Sequence, residues 1–208
     1  MNPEDISVII PTVPTRGHWL RKTIAAYEET APGAELVVVE DYASCGEAWD
    51  VGWQRSTRPY VHFTADDIIP APDWYPEAME MLDEGSVPIC NVYNAYGRQQ
   101  QVEVPLGLLG YFYNIQVPFL TRAMLEKGGW FLPIHYGSDT WVTYWAAKNR
   151  YLIKWCYTYK MIHHLAPEGR VRYREDSDIP ELIRAMNAAG YVPPLWMLSA
   201  QRRGVELT

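Results

Sequence analysis

The sequence predicts an α/β fold, a mostly parallel, Rossmann-like sheet flanked by helices, and three observations carry that prediction. Short apolar runs, "ISVII" (Ile6 to Ile10), "ELVVVE" (Glu35 to Glu40) and "YVHF" (Tyr60 to Phe63), read as strands buried on both faces. Helical patterns separate them, and the order strand, helix, strand, helix, strand is how parallel strands are joined. Each run also ends in polar residues: Pro11-Thr12, Glu40-Asp41 and Asp66-Asp67. In open sheets ligands sit outside the carboxyl ends of the strands, so the three clusters mark one crevice.

Each element follows from its local pattern. Pro11 stops the first strand, and a helix is expected from about Trp19 to Thr30, with Leu20, Ile24 and Tyr27 on one face and "APG" ending it. A second helix is expected around Gly46 to Ser56 and a third at Pro76 to Asp83. Strand-like "VPICNVYNAYG" turns at Gly97, and "QQVEVPLGLLGYFYNI" suggests a hairpin or an extension of the sheet. Thr121 to Gly129 is a short helix with a glycine stop. Ser138 to Arg150 is a stronger one, with Ser138 or Asp139 as its N-cap. A strand from about Leu152 to Ile162 delivers His163 and His164 at its end. The last helix is expected from Ile179 to Ala189, with Pro180 at its start and Gly190 just past its end.

The bulk composition narrows the class. The chain has 208 residues, 48% hydrophobic and 21% charged, enough for one sizeable core, so residues 1–208 are read as a single domain. A net charge of −7 argues against gripping nucleic-acid backbone, which needs clustered Lys and Arg. The first ten residues carry acids where a secretory signal has a basic region, and no apolar run reaches the ~20 residues of a membrane span. The expectation is therefore a cytoplasmic protein without a transmembrane segment. Cys45, Cys90 and Cys156 show no metal-ligand spacing and read as reduced thiols. Neither GxGxxG nor GxxxxGK[ST] follows the first strand, which removes the dinucleotide fingerprint and the P-loop.

The adjacent acids in "FTADDIIPAPDW" pose the sharpest question. Two neighbouring carboxylates repel, so Asp66 and Asp67 are either a solvated turn or hold something positively charged between them. Asp139 in "HYGSDTW" is either a helix cap or a working acid. Adjacent strand residues face opposite ways, so at most one of His163 and His164 looks into the same crevice.

Taken in order, "SVIIPT", "ELVVVED", "AWDVGWQRSTRPYVHFTADDIIPAPDWY" and "LEKGGWFLPIHYGSDTWVTYWAAKNRYLIKWCYTYKMIHHL" resemble the GT-A glycosyltransferases of the family-2 type, rhamnosyltransferase-like members included. The resemblance covers roughly Ile6 to Leu165. It implies the GT-A fold and an inverting glycosyltransferase, with a UDP-, GDP- or dTDP-linked sugar as donor and Mn²⁺ or Mg²⁺ as cofactor. The acceptor stays open among glycan, lipid, protein and modified nucleobase. By resemblance Asp67, as the last acid of a DxD motif, and His163 hold the metal, and Asp66 lies near the ribose or also at the metal. Asp41 meets the base or ribose, with Pro11 and Thr12 around the base. Asp139 is the catalytic base, and Trp130, Tyr136 and Trp141 lie near the acceptor. Arg16 and Arg150 are further candidates for phosphate.

The same resemblance divides the chain into a nucleotide-binding half of about 1–90, an acceptor and catalytic half of about 91–165, and a helical tail, 166–208. Three departures stand out: Ala65 where the first Asp of DxD is usual, Ser138 beside Asp139, and Trp49 where an Arg is frequent. A nucleotidyltransferase of the same fold and an inactive nucleotide- or glycan-binding module are the alternatives.

Overall fold

The fold rests on strand β1 (Ile6–Thr12), whose first five residues are all buried. It pairs in parallel with β2 (Glu35–Glu40) on one side and with β3 (Tyr60–Phe63) on the other, so that Ile9 lies between Val37 and Phe63. A computed structural model describes residues 2–100, 103–105, 111–135, 137–164, 175–191 and 193. The connections are α1 (Gly17–Thr30) and α2 (Cys45–Arg55), close to their expected bounds. Ser44 caps α2 by accepting from the Glu47 N–H at 3.1 Å. Helix α2 lies hard against the sheet: a Cβ on Gly52 would sit 2.1 Å from Ile9 Cγ2. Only glycine permits that approach.

Two short strands fall outside the sequence reading. β4 (Ile68–Pro70) follows the acid pair directly, where a proline turn was expected, and β8 (Phe119–Thr121) adds antiparallel to β3. β4 sits at the edge of a second, three-stranded sheet, where a proline costs no ladder bond. Here β5 (Ser86–Asn94) and β9 (Leu152–His163) run parallel, and β4 is antiparallel to β9. The register shifts between Ile89 and Asn91, a bulge whose freed carbonyls, on Cys156 and Tyr159, both accept from Asn91 Nδ2. The expected hairpin is present as β6 (Glu103–Pro105) and β7 (Tyr111–Tyr113).

Helices α3 (Pro76–Asp83), α4 (Arg122–Leu125), α5 (Ser138–Lys148) and α6 (Glu175–Ala188) complete the described residues. Two expectations are corrected. Neither Ser138 nor Asp139 caps α5; the N-cap is Gly137, at φ 80°, which a side chain tolerates poorly. Pro180 lies inside α6 rather than at its start. The last helix begins at Glu175, four residues ahead of its apolar face, in which Ile179, Leu182, Ile183 and Met186 dock on Ile134, Trp141 and Tyr144. Among the described residues no helix is long and apolar enough to cross a membrane.

Candidate functional site

The carboxyl ends of β1, β2 and β3 open on a cleft lined by Pro11, Thr12, Arg16, Tyr42, Cys45, Ala65, Asp66 and His135, among others. β3 prolongs its pairing with β1 through the Thr64 N–H to Ile9 carbonyl bond, 3.0 Å, and the chain then turns, with the Ile68 N–H on the Ala65 carbonyl at 3.2 Å. That turn points the Asp66 carboxylate back toward the end of β1, where the Thr12 hydroxyl donates to it at 2.7 Å. Thr23 of α1 donates to the Asp66 carbonyl at 2.8 Å. Pro11, Thr12 and Asp66 thus share one wall. Its enclosed volume is about 100 Å³, below the roughly 300–1,000 Å³ of small-molecule pockets.

A positive charge does lie between the two acids, and it belongs to Arg16. Its Nη2 is 3.0 Å from Asp66 Oδ1 and 2.6 Å from Asp67 Oδ2. Nη2 meets both oxygens off the line of its N–H bonds, and the buried Nε has no hydrogen-bond partner among the described residues. The contact is charge on charge rather than an aligned fork. Both acids are buried, at 1% and 5% exposure, so the cation offsets a large desolvation cost. Burial pushes the Asp66 carboxyl above its usual range against the pull of Thr12 and Arg16. Burial acts on Asp67 in the same direction, but there His163 and then Arg16 win and hold the carboxyl down at about 2.

His163 closes the corner from β9, with Nε2 at 3.5 Å from Asp67 Oδ2. His164 turns the other way: its N–H donates to the Asp67 carbonyl at 2.9 Å and its ring packs on Trp19. Among the described residues no group of three or more His, Cys, Asp and Glu could hold a metal ion by itself. The donor chemistry of Asp67 and His163 still fits a divalent cation of the kind that takes one or two carboxylates and fills its shell with substrate phosphate and water. Ala65 contributes only a methyl to the cleft.

Helix α5 presents Asp139 one residue past its start, and Asp139 is not among the residues lining the cleft. Its Oδ2 accepts from Asn114 Nδ2 at 2.7 Å and its Oδ1 from the Thr140 N–H at 2.7 Å. Asn114 is oriented in turn by the Thr143 hydroxyl, which donates to Asn114 Oδ1 at 2.7 Å. Burial raises the Asp139 pKa above the ordinary carboxylate value, with the Thr140 and Asn114 bonds pulling the other way. The Cys45 thiol, on the lining of the cleft, feels the charge of both acids. Burial pushes it up to about 12, a Ser138 hydrogen bond opposes this, and the charges of Asp139 and Asp66 add to it.

Other expected residues lie elsewhere. Asp41 is exposed at φ 61°, its N–H on the Thr12 carbonyl at 3.3 Å, and is not among the residues lining the cleft. Trp49 is core: 4% exposed, edge-on to Phe63 and Phe131, its indole N–H on the Thr64 carbonyl at 3.1 Å, so it offers no face to a base. Trp130 and Trp141 are also buried, at 2% and 4% exposure, with their indole N–H groups on the Met124 and Gly129 carbonyls. Neither shows a ring face to an acceptor. Tyr136 lies outside the described residues. Arg150 follows the far end of α5, about 16 Å of helix from Asp139. His135, which brackets Asp139 in the sequence, lines the cleft, whereas Asn114, on a loop after β7, and Cys45, at the start of α2, join without a sequence signal for them.

A search against models of known protein families finds no match, and no curated protein matches by sequence. Solved structures do match. The S. aureus TarS 1-349 structure superposes with a TM-score of 0.64 at 14% identity, covering 91% of this chain and 65% of that one. GalNAc-T7, crystallised with UDP, GalNAc and Mn²⁺, gives 0.68 at 11% identity over 88% of this chain and 48% of its own. S. aureus TarS gives 0.56 at 16% identity, with 39% of its length covered. The chain thus spans less than two thirds of the length of each. At such identities the likeness speaks to the backbone: this chain has the GT-A glycosyltransferase fold, a mostly parallel α/β sheet flanked by helices.

Proposed function

We propose that the chain transfers a glycosyl group from a nucleotide-diphosphate sugar to an acceptor hydroxyl, with inversion at the anomeric carbon. The observation that supports this most is Asp139: a carboxylate of raised pKa at the start of α5, held by Asn114 and Thr140. A base needs a proton affinity above that of a solvated acid and a fixed direction, and Asp139 has both. In the proposed step the acceptor oxygen bonds to the anomeric carbon from the face opposite the leaving group. Its proton passes to the Asp139 carboxylate, and the bond to the diphosphate breaks with its electron pair on the departing oxygen. A single displacement of this kind inverts the centre.

On this reading residues of about 1–90 hold the nucleotide, with Pro11, Thr12 and Asp66 at the nucleoside and Asp41 at the rim. Residues of about 91–165 supply the base and the acceptor side. Mn²⁺ or Mg²⁺, when bound, supplies charge neutralisation at the diphosphate, and Asp67 with His163 are the residues that would hold it. The Mn²⁺ and UDP in the GalNAc-T7 structure support this assignment.

The test is thermal shift with UDP, GDP and dTDP, each with and without Mn²⁺. One nucleotide at a hundred times its Kd should stabilise the fold by about 2.7 kcal/mol. No response to any of the three would favour an inactive module. Once the donor is known, Asp139→Asn should lower turnover by roughly 10²–10⁴-fold, the usual size of a base contribution, with nucleotide affinity within a factor of about two of wild type. Normal turnover in that variant would remove Asp139 as the base.

A further inference from the structure

We propose that the protein carries a second binding site, outside the cleft, that holds a neutral sugar unit of a glycan on Tyr113, Trp155 and Tyr157. Among the described residues these three and Gln99 line an open pocket of about 400 Å³, and none of the four lines the cleft. That volume falls within the roughly 300–1,000 Å³ of small-molecule sites. The binding itself needs no donor nucleotide; only its link to transfer rests on the reading above.

The backbone of β9 builds the platform and fixes it. Cys156 is fully buried and Tyr157 is 73% exposed, so the alternation of strand side chains turns Trp155 outward together with Tyr157. Both sit where the register with β5 shifts between Ile89 and Asn91. The bulge is held from two directions. Asn91 Nδ2 donates to the Cys156 and Tyr159 carbonyls, and the Glu77 carboxylate of α3 accepts from the Thr158 N–H at 2.9 Å and from the Thr158 hydroxyl at 2.8 Å. From β7, Tyr113 stands edge-on to Trp155, with ring centroids 5.0 Å apart and planes at 66°. The two rings thus form the walls of a corner that exists before any ligand arrives.

The lining selects the chemistry of the occupant. Rings clustered and left open to water mark a contact surface, unlike rings scattered singly. No charged side chain lines the pocket among the described residues, so it offers no counter-charge to a phosphate or a carboxylate. Ring faces pack on apolar surface, while the tyrosine hydroxyls, the indole N–H and the Gln99 amide supply donors and acceptors at the edges. A pyranose carries both parts, a face of C–H groups and a rim of hydroxyls. An aliphatic chain would leave the polar edges unpaired. Placement adds a further reason: Tyr113 is followed directly by Asn114, whose Nδ2 donates to Asp139 at 2.7 Å. A glycan seated here docks on the stretch of chain that orients the proposed base.

The experiment titrates the whole chain by calorimetry with cellohexaose, maltohexaose, chitohexaose and mannohexaose, and with adenine as a neutral flat ring that lacks sugar hydroxyls. At least one hexaose should bind, and adenine should not. Tyr157→Ala and Trp155→Ala should each weaken that hexaose roughly tenfold, the loss of one ring from a stacking site. Tyr157 is exposed, so its truncation spares the fold and covers the case in which the Trp155 variant does not fold. Prior addition of UDP and Mn²⁺ should not displace the hexaose, because the pocket and the cleft share no lining residue. Absence of binding by all four hexaoses, binding indifferent to either substitution, binding of adenine in place of the sugars, or displacement by UDP overturns the proposal. If UDP, GDP and dTDP all fail to bind while a hexaose binds and responds to Tyr157→Ala, the donor reading falls and the sugar site stands.

Discussion

His62 shows how one side chain can be settled by its neighbours' hydrogen atoms. It is fully buried on β3, with Nε2 at 2.7 Å from the Tyr27 hydroxyl and Nδ1 at 2.9 Å from the Tyr159 hydroxyl. Tyr159 gives its own proton to the Val117 carbonyl at 2.7 Å, so it can only accept from His62. The network therefore assigns the proton to Nδ1, and Nε2 accepts from Tyr27. Both ring nitrogens of the neutral form are satisfied. Burial among Trp74, Phe119 and the two tyrosines lowers the pKa to about 3 from 6.5.

The sign of the pH effect follows. The unfolded chain takes up a proton below pH 6.5 that the folded chain refuses, so this contribution is whole at pH 7 and shrinks as pH falls toward 3. Between pH 7 and pH 5 the loss is about 2 kcal/mol. Urea unfolding at both pH values should show it in the wild type, and His62→Gln should lack that share of the slope. Identical slopes in the two proteins would mean that His62 is already charged.

At the scale of elements, α6 holds the segment that leads into α5. Its apolar face buries Ile179, Leu182, Ile183 and Met186 against Ile134, Trp141 and Tyr144. Just before them Asp178 accepts from the His135 N–H at 3.0 Å. Leu182 also lies over Gly137, where a Cβ would come within 2.7 Å of it. The strand-free segment that leads into α5 is thus pinned from above by a helix distant in sequence. Leu182→Ala, at a fully buried position, should cost about 2–5 kcal/mol and speed amide exchange at His135 and along α6 before the β1 amides. Uniform acceleration would show that α6 is part of one cooperative unit. The spacing of its apolar residues was readable in the sequence. Its start was not: a proline inside a helix costs about 3 kcal/mol locally, and only docking offsets that.

For the whole molecule, the sequence by itself determined the parallel α/β core, because β1, β2, β3, α1, α2, α3 and α5 each carry a pattern of the right period and length. It marked the end of the sheet where the cleft opens as well, since strand ends are marked by the residues that stop them: Pro11-Thr12 and Asp66-Asp67. Strands of three residues, β4 and β8, have no period to read and exist through their partners β9 and β3. The roles of the aromatic residues stay open in the sequence for a related reason: Trp49, Trp130 and Trp141 look alike there whether they cover a core or line a cleft.

What only the tertiary structure decided is who pairs with whom. The acids of "FTADDIIPAPDW" were visible as an unsolved charge problem, and the fold answered it with Arg16 from the start of α1 and His163 from the end of β9. Asp139 was visible as an acid at a helix start, but its partner Asn114 was not. Local pattern is written in neighbouring residues, whereas the field at a carboxylate is set by whatever the chain brings within a few ångströms of it in space. That distance is fixed by packing and not by order along the chain.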